Sequence, residues 1–224
     1  EGRGVVSGLF STVPNSGVAR WLMNDASDTG TAVDEWDGFD LTLNGPTYDN
    51  TTVQEGSHSL AFNNDNATAS DTIWEPLSNE NAMSLVGWFY PTASNMGYGG
   101  IFNDNSPGGS WQNTRFGINQ DPGNNYGYLF DLNGERLSND YQLSTNTWHH
   151  VGLTFDGSTG KAYHNGSEIT STSMNTTIPN NDYWTMGDQR GRDYEGNMDA
   201  VDLYKKALTQ TEVENHYNTG DING

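Results

Sequence analysis

The side chains here that could act on a ligand are acids, a histidine doublet and scattered arginines and aromatics, so their spacing comes first. Hydrolysis of a glycosidic bond needs two carboxyls about 5–9.5 Å apart across a cleft. On a strand such acids must alternate to share a face. The run Asp34-Glu35-Trp36-Asp37 lacks that alternation and lies in a turn-rich stretch. Asp199 and Asp202, three positions apart, are expected on opposite faces of their strand. The neutral Tyr, His and Arg groups that polysaccharide lyases use are represented by Arg115, His164, Tyr126 and Tyr128, but no spacing singles them out. Adjacent His149 and His150 point to opposite faces, one expected packed and one exposed, so they cannot share one ion. Neither a G-x-S-x-G nucleophile elbow nor a G-x-x-x-x-G-K-S/T phosphate loop occurs. The chain reads as non-catalytic.

Sugar recognition fits better. Apolar C–H faces of sugars stack on aromatic rings, while Asn, Asp and Arg read the hydroxyls. The expected ligand-binding set is Asn103, Asp104, Trp111, Arg115, Tyr126, Arg190, Arg192 and Tyr194, with Tyr98, Asn113 and Trp184 in the same segments. Arg190-Gly191-Arg192 concentrates cationic charge in an acidic chain and is a candidate contact for an anion or a sugar acid.

A formal charge of −20 sets the chain against nucleic acid, whose phosphates it would repel. An acidic surface with lysine only at Lys161, Lys205 and Lys206 suits cation binding or solubility at high salt. With no cysteine, neither disulfides nor thiolate metal sites can form. No apolar run approaches the roughly 18 residues of a membrane span. Sequons at Asn50, Asn66, Asn165 and Asn175 are compatible with secretion, and the chain is expected to be extracellular, on a cell or virion surface.

The elements that must position these groups are mostly strands. Asn146–Gly166 reads as a hairpin: Trp148, His150, Gly152 and Thr154 on one face, His149, Val151, Leu153 and Phe155 on the other. The run 156–160 supplies its turn, Lys161–His164 returns, and Asn165-Gly166 turns again. Further strands are expected at Val18–Met23, Gly56–Phe62, Ile73–Pro76, Met83–Tyr90, Gly100–Phe102, Arg115–Asn119, Tyr126–Leu132, Tyr183–Gly187 and Tyr194–Tyr204. Thr209 and Glu212 form a T-x-x-E capping box that starts one helix over Gln210–Asn218. Residues 1–17 are expected to be an arm or linker, and 18–224 one domain.

Three stretches, in order, resemble the laminin G-like, concanavalin A-like jelly rolls. They are the acidic N-D-A-S-D-T-G-T-A-V-D-E-W-D-G-F-D-L-T-L-N-G from Asn24, the N-T-W-H-H-V-G-L-T-F-D-G hairpin, and the closing Y-E-G-N-M-D-A-V-D-L-Y-K-K-A-L-T-Q-T-E-V from Tyr194. G-S-H-S-L-A-F from Gly56 and M-S-L-V-G-W-F-Y from Met83 match further strands of that family. The resemblance implies an all-β, antiparallel β-sandwich of jelly-roll type with one short C-terminal helix. It also implies a structural Ca2+ tying the acidic loop to the last strand through Asp34 and Asp199, with Asp37, Asp40 or Asn63 completing the shell. The expected role is a calcium-stabilised recognition domain for a glycan or glycoprotein, without membrane insertion. The other readings are a structural subunit of an extracellular assembly or homo-oligomer, and a polysaccharide lyase or glycoside hydrolase.

Overall fold

The computed structural model describes residues 14–25, 30–96, 100–104, 114–119, 127–181, 183–187 and 194–224. In chain order these form β1 (Gly17–Trp21), β2 (Thr31–Ala32), β3 (Leu41–Asn44), β4 (Thr47–Asp49), β5 (Ser59–Asn63) and β6 (Asn66–Ala69). A 3-10 turn (Asp71–Ile73) leads into α1 (Trp74–Glu80). Then come β7 (Met83–Pro91), β8 (Phe102–Asn103), β9 (Thr114–Ile118), β10 (Tyr128–Leu132), β11 (Glu135–Asn139), β12 (His149–Phe155), β13 (Thr159–His164) and β14 (Ser167–Ser173). β15 (Trp184–Met186), β16 (Glu195–Tyr204) and α2 (Gln210–Thr219) close the domain.

The strands form two antiparallel eight-stranded sheets. The first runs β14-β13-β12-β7-β16-β5-β4, with β1 also paired to β16; the second runs β11-β10-β9-β8-β15-β6-β3-β2. Their inner faces enclose one core: Val151, Leu153 and Phe155 from β12 meet Phe102, Phe116, Phe130 and Trp184 from the second sheet. Phe102 stacks on Trp184 at 4.6 Å. The expected β-sandwich, its late helix and the inward face of the hairpin are all present.

α2 covers part of the outer face of the first sheet, burying Val86, Tyr163, Tyr204 and Val213 together. Its Thr209–Glu212 capping box forms as read from the sequence. Two local expectations change. Ile73–Pro76 is helical, not a strand: Ser70 caps the turn, and Ile73, Trp74 and Leu77 recur at helical spacing into the core. Pro76 is tolerated there because the first-turn N–H it lacks has no helical acceptor. His150, expected either packed or exposed, is fully buried beneath α2, while His149 is also buried, at the sandwich edge.

Of the expected arm, residues 1–13 lie outside the described residues. Its last part is attached, since Ser16 O accepts from Lys205 N.

Candidate functional site

Alternation along the second sheet sends its apolar residues inward and leaves a polar outer face. Strand register then aligns one residue from each of eight strands. Arg136 faces Asp131, Asp131 faces Arg115, and Arg115 faces Asn103. Asn103 faces Thr185, Thr185 faces Thr68, Thr68 faces Thr42, and Thr42 faces Thr31. Seven interstrand steps of about 4.8 Å make a polar row about 34 Å long. Its middle is buried at Asn103, Arg115 and Thr185; Arg136 at one end and Thr42 near the other are exposed.

The charged end is built around one carboxylate. Asp131 Oδ2 accepts from Arg115 Nε at 2.6 Å, and Asp131 Oδ1 accepts from Arg136 Nε at 2.6 Å. Arg136 Nη2 reaches Oδ2 at 3.0 Å. Charge-assisted bonds to both oxygens orient two planar guanidiniums. At the other end Asn44 Nδ2 donates to Asn66 Oδ1 at 3.1 Å, on the same face.

Of the sequence-derived ligand set, Asn103 and Arg115 therefore meet in this row. Asp104 sits beside it, its carboxylate accepting from Thr114 N at 3.1 Å. Tyr194 does not belong there. It is fully buried against Phe62 and Phe89, with its hydroxyl donated to Asn197 O at 2.9 Å, and offers no ring face to a ligand. Tyr98, Trp111, Asn113, Tyr126, Arg190 and Arg192 lie outside the described residues. Sequence reasoning missed Asp131, Arg136, Thr185, Thr68 and Thr42. One signal was available: Asn133-Gly134, both at positive φ, is the two-residue hairpin turn that sets Asp131 opposite Arg136.

The carboxylates assigned to calcium are engaged differently. Asp34 Oδ1 accepts from Arg20 N at 2.7 Å and Trp36 N at 3.0 Å. Its Oδ2 accepts from Asp37 N at 3.0 Å and Phe39 N at 2.9 Å. Asp40 accepts from Asp34 N at 2.8 Å, and Asn63 Oδ1 from Asn64 Nδ2 at 3.4 Å. Asp199 Oδ2 accepts from Gln54 N and Glu55 N, both at 2.9 Å, while its Oδ1 has no partner. Calcium needs six to eight oxygens turned toward it. Both oxygens of Asp34 and Oδ2 of Asp199 face N–H groups, while Oδ1 of Asp199 stays open. Among the described residues no group of three or more His, Cys, Asp or Glu side chains is placed to hold a metal. Asp34→Ala is expected to lower stability by about 2–4 kcal/mol, because four N–H groups lose their acceptor. Thermal melts should show that loss.

Asp199 and Asp202 share a face, contrary to the parity expectation. Asp199 pairs with Trp88 and Asp202 with Val86, so three residues on β16 span two on β7. The bulge sits at Ala200, whose φ is 46°. Both acids thus point outward, Asp202 beneath α2 and Asp199 beneath residues 54–55. Asp202 takes Arg20 Nη2 at 2.5 Å, Tyr204 Oη at 2.9 Å and His216 Nε2 at 3.0 Å. His216 Nδ1 in turn lies 2.9 Å from His150 Nε2. Each acid is already engaged within the fold and buried, which removes them as a hydrolytic pair.

A family model described as the concanavalin A-like lectin/glucanases superfamily matches residues 61–214. No curated protein matches the chain in sequence. Among solved structures, domain 4 of AbnA, a GH43 extracellular arabinanase from Geobacillus stearothermophilus in complex with arabinotriose, is 16% identical with a TM-score of 0.65, covering 89% of this chain and 97% of that one. The binding domain of Paraclostridial Mosquitocidal Protein 1 is 16% identical with a TM-score of 0.67, covering 92% of this chain and 52% of that one. Trypanosoma rangeli sialidase in complex with 2,3-difluorosialic acid is 14% identical with a TM-score of 0.68, covering 95% of this chain but 34% of that one. At such identities the likeness concerns the fold alone. The chain thus spans about half of the mosquitocidal chain and a third of the sialidase chain.

Proposed function

From the premise that this chain belongs to the concanavalin A-like lectin/glucanase superfamily, we propose that it is a non-catalytic glycan-binding module acting outside the cell. The observation that carries this reading is the eight-strand polar row of the second sheet. Its exposed ends, at Arg136 and Thr42, are the parts open to a sugar, and the buried middle fixes their spacing. Amides, hydroxyls and fixed guanidiniums are the groups that read sugar hydroxyls. Fold alone would not support this step, because one fold hosts many functions.

The same row argues against catalysis. Asp131 is its one carboxylate, and two guanidiniums occupy both oxygens. Oxygens so engaged are not free to attack an anomeric carbon, and hydrolysis needs two acids with separate roles.

A glycan array followed by calorimetry tests the reading. Arg136→Ala removes an exposed donor, and Thr42→Lys obstructs the open threonine end without entering the core. Each is expected to weaken an identified glycan about tenfold while leaving Tm within a few degrees. Absence of any glycan hit, or affinity unchanged in both variants, would reject the row as the binding face.

A further inference from the structure

The outer face of the first sheet carries a second aligned row that α2 leaves uncovered. Thr47 faces Ala61, Ala61 faces Asn197, and Asn197 faces Tyr90. Tyr90 then meets Trp148, with ring centroids 5.4 Å apart at 59°. Both rings are only partly buried, and neither belongs to the core between the sheets or to the cluster beneath α2. Ala61 and Thr47 are small, so the rings stand above the neighbouring strands.

The surroundings of the rings are acidic. Asp49 accepts from Asn197 Nδ2 at 3.1 Å. Bonds from Thr51 outweigh the modest burial of Asp49 and hold its carboxyl at about 2, so it stays ionised. Glu55 accepts from Trp88 Nε1 at 3.1 Å, and Glu195 lies on the same face of β16 as Asn197. Two cations of this outer face are already held, Arg20 by Asp202 and Lys161 by Glu168.

We propose that Tyr90 and Trp148, with Asp49 beside them, form a second sugar-binding surface that takes a neutral pyranose. Two partly exposed rings supply apolar faces for sugar C–H groups. The flanking carboxylates accept hydroxyl hydrogens and repel uronic or sialic acids. The platform lies on the opposite sheet from the polar row, so one module presents two independent glycan surfaces. This goes beyond the row itself, which rests on other residues.

The test is calorimetry and tryptophan fluorescence with a neutral β-linked hexose hexamer and with a hexauronate of the same length. The chain is expected to bind the neutral hexamer saturably. Trp148→Ala and Tyr90→Ala should each weaken it at least tenfold, with Trp148→Phe largely restoring affinity. Glu75→Gln, at an exposed position of α1 outside both surfaces, should leave this interaction unchanged. No binding of the neutral hexamer, binding unaffected by Trp148→Ala, or equal affinity for the hexauronate would each overturn the proposal. Loss of binding in Thr42→Lys but not in Trp148→Ala would leave the row as the sugar site and remove the platform. Unchanged melting of both alanine variants guards against reading a folding defect as a lost contact.

Discussion

Asp202→Ala is expected to lower the free energy of unfolding by about 3–5 kcal/mol, measured by urea denaturation at neutral pH. Asp202 is 1% exposed and is the counter-ion of Arg20, whose side chain is 11% exposed. Burial alone would raise the carboxyl, but the Arg20 charge and the bond from His216 hold it below its ordinary value. Truncation strands the guanidinium, which also stacks over Trp36 at 4.7 Å and donates to Gly220 O at 3.0 Å. It also frees His216, which ties α2 to the sheet. Asp202→Asn keeps the volume and part of the hydrogen bonding, so its loss should be smaller. A loss below about 1 kcal/mol in the alanine variant would show that water reaches the pair and that α2 is held by apolar contact alone.

The second large effect depends on pH. Burial raises the Asp199 carboxyl to about 7, against the N–H donors of Glu55 and Gln54. A raised carboxyl contributes stability that is fully present below its unfolded value of 3.8 and is lost as pH rises through about 7. The rise from 3.8 to about 7 bounds that contribution at about 4 kcal/mol. Asp199→Asn retains an acceptor for the two N–H groups and never ionises. It should therefore exceed the parent by about 1–2 kcal/mol at pH 8, with the gap closing by pH 5. The histidines work in the opposite direction. Burial lowers His164 to about 4, and burial beside His216 lowers His150 well below its ordinary value. Their stabilisation is present above the unfolded value of 6.5 and is lost as pH falls below it. In the parent, Asp199 offsets part of that loss. Asp199→Asn exposes it, so its stability should fall more steeply between pH 7 and 4. Urea midpoints at pH 5, 6.5 and 8 decide this, and a variant weaker than the parent at pH 8 would refute it.

Much of the architecture was legible because it is written locally. Alternation from His149 to Phe155 separates the inner from the outer face of β12, and both faces are where that pattern puts them. Asn165-Gly166 makes its turn at positive φ, and Thr209 with Glu212 caps α2. The strands that escaped notice are polar or very short: T-A, L-T-L-N, T-Y-D, N-A-T-A, E-R-L-S-N and S-E-I-T-S-T-S. Their own propensity is weak, and pairing with distant neighbours makes them strands.

The candidate site was legible only in part, for a related reason. Arg115 and Asn103 were singled out by residue type, yet nothing near them in the chain announces Thr68 or Thr185 as partners. Those residues meet only because β8, β15 and β6 pair in one register. The bulge at Ala200 likewise reverses what parity says of Asp199 and Asp202, and its cause lies in the ladder with β7. The sequence by itself determined the superfamily, the sandwich, the inward faces and the caps, since periodicity and short-range hydrogen bonds suffice for these. The tertiary structure alone decided which polar groups share a surface. That depends on strand register, which distant segments set together and which a shift of one residue would reverse.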